Sequence, residues 1–163
     1  MEPLSEFENW REGTRASIRD TMRDPIISRL LARSNLTPAQ FETLLIDQLG
    51  EEMANKRLTR NEMARLVRNQ KGISRGALNR TLRQARQNIS EAIHTILLLG
   101  YGGLIESPSL APFVEASEQL RSQTTQLREL AGGDPAQFRS SVNRLMENLE
   151  EAFRALYVRH RDT

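Results

Sequence analysis

The amino-acid sequence predicts an all-α fold, a helical bundle that ends in an antiparallel helical hairpin. Three observations support this prediction. Apolar residues recur at steps of three and four along most of the 163 residues, which is the period of a helix with one buried face. No segment alternates with the period of two that is typical of strands. Helix-start signals also recur, each a Thr or Asp followed by Pro or by an acid three residues later.

The composition excludes several classes of protein. The sequence contains no cysteine, which rules out disulfides and thiolate metal sites. No charged segment followed by an apolar run opens it, so no signal peptide is expected. The longest apolar run, residues 96–99, is far shorter than the ~20 residues that span a bilayer. We therefore expect a cytoplasmic protein with no membrane partner and no cofactor.

Residues 1–34 are predicted to form an N-terminal helical arm. Asp24 and Pro25 mark a boundary within it, because proline suits the first turn of a helix but interrupts an interior. A short second helix is expected after this boundary. The apolar residues before the boundary lie close to one helical stripe: Leu4, Phe7, Trp10, Ile18 and Met22.

Residues 36–105 are predicted to form a central domain. Its first helix begins at Thr37, a hydroxyl N-cap, with Pro38 as the first helical residue, and is expected to end at Gly50. The predicted buried stripe of this helix is Phe41, Leu44, Leu45 and Leu49. Thr59 and Glu62 then form a capping box, in which each side chain accepts an orphan backbone N–H. The helix that follows is expected to end near residues 69–72 and to bury Met63, Leu66 and Val67.

The longest helix of this domain is predicted to begin after its N-cap, Ser74. Its apolar residues recur at helical steps: Leu78, Leu82, Ala85, Ile89, Ile93 and Ile96. Residues 100–103 are expected to end the helix because three of the four are glycine. Leu104 and Ile105 are expected to fold back as an apolar plug.

Residues 112–159 are predicted to form the C-terminal hairpin. Two glycines interrupt it at residues 132–133, after which Asp134 caps and Pro135 begins the second helix. The buried stripe of the first helix is Phe113, Ala116, Leu120, Thr124, Leu127 and Ala131. That of the second is Phe138, Val142, Leu145, Leu149, Ala152, Phe153 and Leu156. Both stripes favour helix pairing. We expect the hairpin to form a homodimer; the alternative is that it covers residues 93–99 of its own chain.

Positive charge is concentrated in residues 56–86. This segment holds ten Lys or Arg residues and one acid, Glu62, so it carries +9, whereas the whole chain carries +2. A solvated surface normally mixes charges of both signs. A basic segment that coincides with two capped helices and a turn is typical of nucleic-acid binding. The alternative to nucleic-acid binding is that these arginines form a solvent-exposed helix face that binds no partner.

The helix from Arg75 has the side chains that a DNA-reading helix needs. Arg bonds bidentately to guanine, and Asn or Gln to adenine. The predicted base-contacting residues are Arg75, Asn79, Arg80, Arg83, Arg86 and Gln87. Phosphates are expected to contact the preceding helix, the turn and the N-terminus of the long helix. The predicted phosphate-contacting residues are Arg60, Arg65, Arg68, Lys71 and Ser74.

Residues 72–86, GISRGALNRTLRQAR, resemble the recognition-helix segment of the fourth conserved region of bacterial sigma factors and of LuxR-type regulators. In both families a G-I-S start leads to an apolar-spaced, Arg-rich helix. Glu62, Met63 and Ala64 resemble the E-I-A on their preceding helix, and residues 36–44 resemble their lead-in helix. The resemblance covers about residues 36–90. It implies a helix-turn-helix within the bundle that reads duplex DNA with the helix from Arg75, and it does not extend to the polymerase-binding parts of a sigma factor.

The predicted function is therefore sequence-specific DNA binding by a dimeric, nucleoid-associated transcriptional regulator. Two alternatives stay open: an architectural protein with little base preference, and a helical adaptor whose basic face docks an acidic protein. An enzyme is not expected. Glu91 and His94 have the E-x-x-H spacing of di-metal bundles, but that site needs a second such motif. No nucleophile elbow or phosphate-binding loop is present in the sequence.

Overall fold

The structure, a computed structural model, describes the backbone of residues 4–68, 71–104 and 111–158, and the side chains of residues 10–68, 71–104 and 117–148. All regular secondary structure within these ranges is helical, which confirms the all-α prediction. The helices are α1 Leu4–Arg23, α2 Pro25–Ala32, α3 Pro38–Ala54, α4 Arg60–Leu66, α5 Arg75–Tyr101, α6 Ala111–Leu130 and α7 Pro135–Val158.

The chain divides into two compact units, Met1–Ala92 and Ile93–Thr163, and the boundary falls inside α5. These bounds differ from the predicted ones, a separate arm at 1–34 and a domain ending at 105. The arm belongs to the first unit because α1 packs along α3 and contacts α4. Ile18, on α1, is 4% exposed within the shared core. A helical stripe in a sequence shows that a face is buried but not which element covers it.

The starts of α2 and α3 follow the predicted signals. Asp24 Oδ1 accepts the N–H of Ile26 at 2.9 Å, and Pro25 opens α2. Thr37 Oγ1 accepts the N–H of Gln40 at 3.2 Å, while Gln40 Oε1 accepts the N–H of Thr37 at 3.0 Å. The start of α3 is therefore a capping box, in which Gln40 replaces the more common Glu.

The predicted end of α3 at Gly50 is wrong, since the helix continues to Ala54 and ends at the left-handed Asn55. Gly50 is buried, and a Cβ there would lie 3.2 Å from Leu58 Cδ1. The glycine thus permits close packing instead of ending the helix. Leu49 was predicted to be buried and is 41% exposed, a second correction on this helix.

The core of the first unit is built around α3. Leu45 and Ile46 are 6% and 0% exposed. Side chains of α1, α4 and the N-terminal half of α5 pack against them, so these helices share one core. The other fully buried members of this cluster are Ile18, Ala54, Leu58, Met63, Ala64, Leu66, Val67, Leu78 and Leu82.

In the second unit α6 and α7 form the predicted antiparallel hairpin. Gly132 and Gly133 have positive φ values of 56° and 87°, which glycine adopts without strain. Asp134 Oδ1 then accepts the N–H of Ala136 at 2.9 Å, and Pro135 opens α7. The buried residues between the helices are Leu120, Thr124, Ala131, Val142 and Met146. The predicted stripe positions Phe113, Ala116, Leu149, Ala152, Phe153 and Leu156 lie outside the described side chains.

The predicted apolar plug after α5 is wrong for Leu104, which is 67% exposed, while Ile105 lies outside the described residues. The backbone does fold back there, because the N–H of Leu104 reaches Leu99 O at 2.8 Å. The turn forms without burying the side chain. Across the described ranges, the helices lack an apolar stretch long enough to cross a bilayer.

Candidate nucleic-acid interface

The capping box of α4 engages the only acid of residues 56–86. Glu62 Oε2 accepts the N–H of Thr59 at 2.8 Å, and Thr59 Oγ1 accepts the N–H of Glu62 at 3.2 Å. Glu62 also pairs with Lys56 Nζ at 2.8 Å. The hydrogen bond from Lys56, followed by that from Thr59, lowers the pKa of Glu62 to about 2. Lys56 Nζ lies 4.5 Å from the ring centroid of Trp10, so it also links this region to α1.

The turn after α4 folds back onto that helix. The N–H of Gly72 donates to Val67 O at 3.0 Å, and that of Ile73 donates to Ala64 O at 2.9 Å. Gly72 has a φ of 61°, and a Cβ there would lie 3.2 Å from Ala64 O and from Arg65 Cα. Both the left-handed backbone and this close approach require glycine. The turn therefore determines where α5 begins.

The N-terminus of α5 is capped by Ser74, as predicted. Ser74 Oγ accepts the N–H of Ala77 at 3.1 Å, and Ser74 O accepts the N–H of Leu78 at 2.9 Å. The side-chain oxygen is thus used as a cap acceptor, which leaves the exposed hydroxyl hydrogen as a donor. Ser74 can combine both roles, capping the helix and donating to an anion.

The N-terminal half of α5 has one buried face and one exposed face. Leu78, Leu82 and Ala85 are 1%, 3% and 0% exposed, as the sequence predicted. The side chains predicted to contact bases all lie on the exposed part of the helix: Arg75, Asn79, Arg80, Arg83, Arg86 and Gln87.

Asp47 of α3 holds two of the predicted DNA-contacting arginines. Its Oδ2 accepts a hydrogen bond from Arg86 Nη2 at 2.8 Å, and its Oδ1 pairs with Arg60 Nη1. The Asp47 side chain is only 5% exposed. Burial acts to raise the pKa of Asp47, but hydrogen bonds from Arg60 and Gln48 and the charges of Arg60 and Arg86 outweigh it, so the pKa is lowered. Arg60 and Arg86 therefore fasten α4 and α5 to α3.

No local pattern pointed to Asp47, because 39 residues separate it from Arg86. Asn88 is a second residue that sequence reasoning missed. Its Nδ2 donates to Asn35 O at 2.8 Å and to Gln40 Oε1 at 3.2 Å. It therefore anchors α5 beside the N-terminus of α3.

Two further predicted contact residues also have intramolecular partners. Gln87 Nε2 donates to Glu91 Oε1 at 2.9 Å. The backbone N–H of Arg68 donates to Glu42 Oε1 at 3.2 Å, and the charge of Arg68 acts on the same carboxylate. These pairs reduce the charge and the hydrogen-bonding capacity that the segment offers to a ligand.

Six exposed cations of residues 56–86 keep their side chains free of hydrogen bonds and ion pairs to the described part of the chain. They are Arg57, Arg65, Lys71, Arg75, Arg80 and Arg83. Asn79 is exposed and free in the same sense. We call Arg75, Asn79, Arg80 and Arg83 the basic outer face of α5.

The described residues contain no group of three or more His, Cys, Asp or Glu arranged to hold a metal ion. Glu91 and His94 are both exposed on α5.

Comparison of the chain with protein-family models, with curated proteins and with solved structures found no match.

Proposed function

We propose that this protein binds duplex DNA, reading the major groove with the N-terminal half of α5. The observation that supports this most is that apolar and basic side chains lie on opposite faces of that half of the helix. Three side chains anchor it in the core, while the basic outer face presents three arginines that have no partner among the described residues. The major groove is about 12 Å wide and admits a helix of about 10–12 Å in diameter.

Within this proposal, these residues of the predicted site divide into three groups. Arg75, Asn79, Arg80 and Arg83 contact bases, because they project from the face opposite the core and are free to bond. Arg65 and Lys71 contact phosphates from α4 and the turn. Arg60 and Arg86 instead position the two helices through Asp47. We assign them a structural contribution to binding, with direct contact as a secondary one.

The dependence of binding on salt tests this proposal. If the protein neutralises about six phosphates in all, the plot of log K against log salt concentration should have a slope near −5. The measurement is fluorescence anisotropy of labelled duplex DNA between low and physiological salt. Absence of binding to any duplex at low salt contradicts the proposal and favours the adaptor, whose basic face docks an acidic protein.

Selection of bound genomic fragments distinguishes a sequence-specific regulator from an architectural protein. Enrichment of a common motif supports regulation of transcription from specific sites. Uniform recovery of fragments supports architectural binding.

If binding is sequence-specific, Arg83→Ala should relax the preference for one base pair of the site, at a cost of about 1–3 kcal/mol, whereas Lys71→Ala should weaken binding to all duplexes alike. Equal effects of the two variants on all duplexes would contradict the assignment of base and phosphate contacts.

We also propose that the α6–α7 hairpin pairs with a second copy of the chain, so that two reading helices contact half-sites about 34 Å apart. An open groove of about 250 Å³ along the hairpin is lined by three leucines, Leu127, Leu130 and Leu145, and by five polar residues, Gln123, Gln126, Ser141, Arg144 and Asn148. Leu130 is 79% exposed. Arg144 is the one charged residue among those lining the groove, so two copies can meet face to face with little repulsion between like charges.

Sedimentation equilibrium tests this pairing. Leu130→Glu should convert a dimer into a monomer, because it places two carboxylates in an apolar contact. Gln119→Glu is the matched control, since it adds the same charge to α6 at an exposed position outside the groove. A monomeric wild-type protein at micromolar concentration contradicts the pairing and leaves DNA binding by α5 to be judged separately.

A further inference from the structure

A second basic surface lies on the first unit, in a recess between α1 and the end of α4. We call it the α1–α4 recess. It is half-open, has a volume of about 220 Å³, and has Ile18 and Leu66 among its apolar lining residues. Arg15, Arg19, Arg23 and Glu42 line it as well. The charge pattern of the sequence does not reveal this surface, because α1 as a whole carries charges of both signs.

The arginines of this recess are arranged by helical geometry. Arg15, Arg19 and Arg23 follow one another at steps of four on α1, so they project from one side of the helix. Arg68 joins them from the turn after α4, since its N–H donates to Glu42 Oε1 at 3.2 Å and its charge acts on that carboxylate. Three arginines of α1 therefore line the recess together with the Glu42 carboxylate, on which the charge of Arg68 also acts.

Arg15 has hydrogen-bonding capacity that its own chain does not use. Its Nε is buried and makes no hydrogen bond to any described residue. Its Nη2 reaches Arg65 O at 3.4 Å, which is beyond the usual range for such a bond. A buried donor without an acceptor costs about 1–3 kcal/mol. An anion in the recess can accept from this Nε only after the Arg15 side chain turns towards the recess, because the atom is closed off from solvent.

We propose that the α1–α4 recess binds a tetrahedral oxyanion of the phosphate or sulfate class. The fork of a guanidinium matches the oxygens of such a group, and several arginines can share one dianion. The size agrees, because 220 Å³ holds several waters at about 30 Å³ each but is smaller than the ~300 Å³ and more of a typical cofactor pocket. The phosphate can come from a DNA backbone or from a small phosphorylated molecule.

Glu42 makes this site sensitive to pH. Burial raises the pKa of Glu42 above its ordinary value, although the N–H and the charge of Arg68 partly oppose the rise. The charged groups that face Glu42 are Arg15, Arg19 and Arg23 from α1 and Arg68 from the turn. Protonation of Glu42 removes the one negative charge of the recess, so anion affinity rises as the pH falls through this pKa.

Titration calorimetry with sodium sulfate at constant ionic strength tests the proposal. Sulfate stays a dianion between pH 5 and 8, so its own charge does not change. We expect saturable binding that Arg23→Gln weakens about tenfold, the effect of losing one hydrogen bond between charged groups. Glu42→Gln should tighten binding at pH 7 by at least about threefold and remove its pH dependence. Arg23 is exposed, so its substitution should leave the fold intact.

Arg139→Gln is the matched control, because it removes the same charge from an exposed position on α7. It should bind sulfate like the wild type. Sulfate also stabilises proteins in general by exclusion from their surface, but that effect does not saturate. Unsaturable binding in the wild type, or equal affinities of the wild type and Arg23→Gln, overturns the proposal.

The same variants distinguish the source of the phosphate. If the recess holds a DNA phosphate, Arg23→Gln should reduce the slope of log K against log salt by about one. If it holds a small molecule, DNA binding is unchanged while sulfate binding is lost. Both outcomes support the oxyanion site. A wild-type protein that binds sulfate in the recess but no duplex DNA contradicts the proposed function of α5 and leaves this site standing.

Discussion

The two halves of α5 bury their apolar side chains to very different extents. In the N-terminal half, Leu78 and Leu82 are 1% and 3% exposed. In the C-terminal half, Leu98 and Tyr101 are 68% and 96% exposed. One continuous helix of 27 residues thus changes character along its length. The helical period is the same in both halves, so it does not predict this difference in burial, although the basic residues of the helix end at Arg86 and already distinguish the halves.

The difference indicates what each half offers to a partner. The N-terminal half satisfies its apolar side within its own chain and directs cationic side chains outward, which suits a polyanion. The C-terminal half leaves large apolar side chains exposed, which suits an apolar contact. Binding of DNA is therefore a proposal for the N-terminal half alone.

The largest expected effect contrasts one leucine from each half. Leu82→Ala should lower the free energy of unfolding by about 2–5 kcal/mol, because it opens a cavity in the core of the first unit. Leu98→Ala should change it by less than about 0.5 kcal/mol, since that side chain is mostly exposed. Urea denaturation followed by circular dichroism measures both. Equal losses would show that the two halves are buried alike and would break the comparison.

The next effect concerns the turn that positions the N-terminal half. Gly72→Ala should destabilise the protein by about 1–3 kcal/mol, because the residue is left-handed and its Cβ would crowd α4. Gly76→Ala is the matched control. Its Cβ would approach only Ser74 Oγ, at 4.0 Å, so alanine should stabilise the helix by about 0.4–1 kcal/mol. Thermal unfolding measures both, and a neutral Gly72→Ala would show that the turn does not constrain α5.

A smaller effect concerns the acid within the basic segment. The folded protein lowers the pKa of Glu62 from 4.5 to about 2, so this group stabilises the fold above about pH 4.5 and loses its contribution as the pH falls towards 2. Glu62→Gln keeps the capping geometry but removes the charge. It should be less stable than the wild type at pH 7 and converge with it at low pH.

Fluorescence of Trp10, the single tryptophan, follows this unfolding, because Lys56 lies over its ring. Parallel stability curves for Glu62→Gln and the wild type from pH 7 to 2 would contradict the role of the Lys56–Glu62 pair.

The smallest effect separates two arginines of the N-terminal half. Arg83→Ala should leave stability within about 0.5 kcal/mol, because the side chain is exposed and has no partner in the described part of the chain. Arg86→Ala should cost about 1 kcal/mol, since it removes a partner from Asp47. The Arg86 side chain is 57% exposed, so solvent screens its ion pair with Asp47 and limits the loss of stability. Chemical denaturation compares them, and identical stabilities would contradict the positioning role of Arg86.

Local signals account for what the sequence predicted well. The caps at Thr37, Thr59, Ser74 and Asp134 were all predictable, because an N-cap side chain and the backbone N–H that donates to it lie within three residues of each other. The buried side of α5 from Leu78 to Ala85 followed from its period.

Contacts between distant segments account for the rest. Gly50 has the chemistry of a helix end, yet its neighbour Leu58 makes it a packing residue. The pairs of Asp47 with Arg60 and Arg86 arise from tertiary structure, so sequence reasoning counted both arginines as available to DNA. The charge of residues 56–86 was predictable from the sequence. Which of their cations have no intramolecular partner could be seen only in the folded structure.

Matched charge reversals test the central claim, that the basic outer face of α5 binds DNA, most directly. Arg80→Glu with Arg83→Glu changes this face, and Arg121→Glu with Arg139→Glu changes the net charge equally at exposed positions of the hairpin. Anisotropy titration of one labelled duplex at about 50 mM salt compares the two double variants with the wild type, in the range where phosphate contacts contribute strongly. We predict that the α5 variant loses at least about 100-fold in affinity while the hairpin variant stays within about threefold of the wild type. Equal losses in both, or no loss in the α5 variant, would contradict the account.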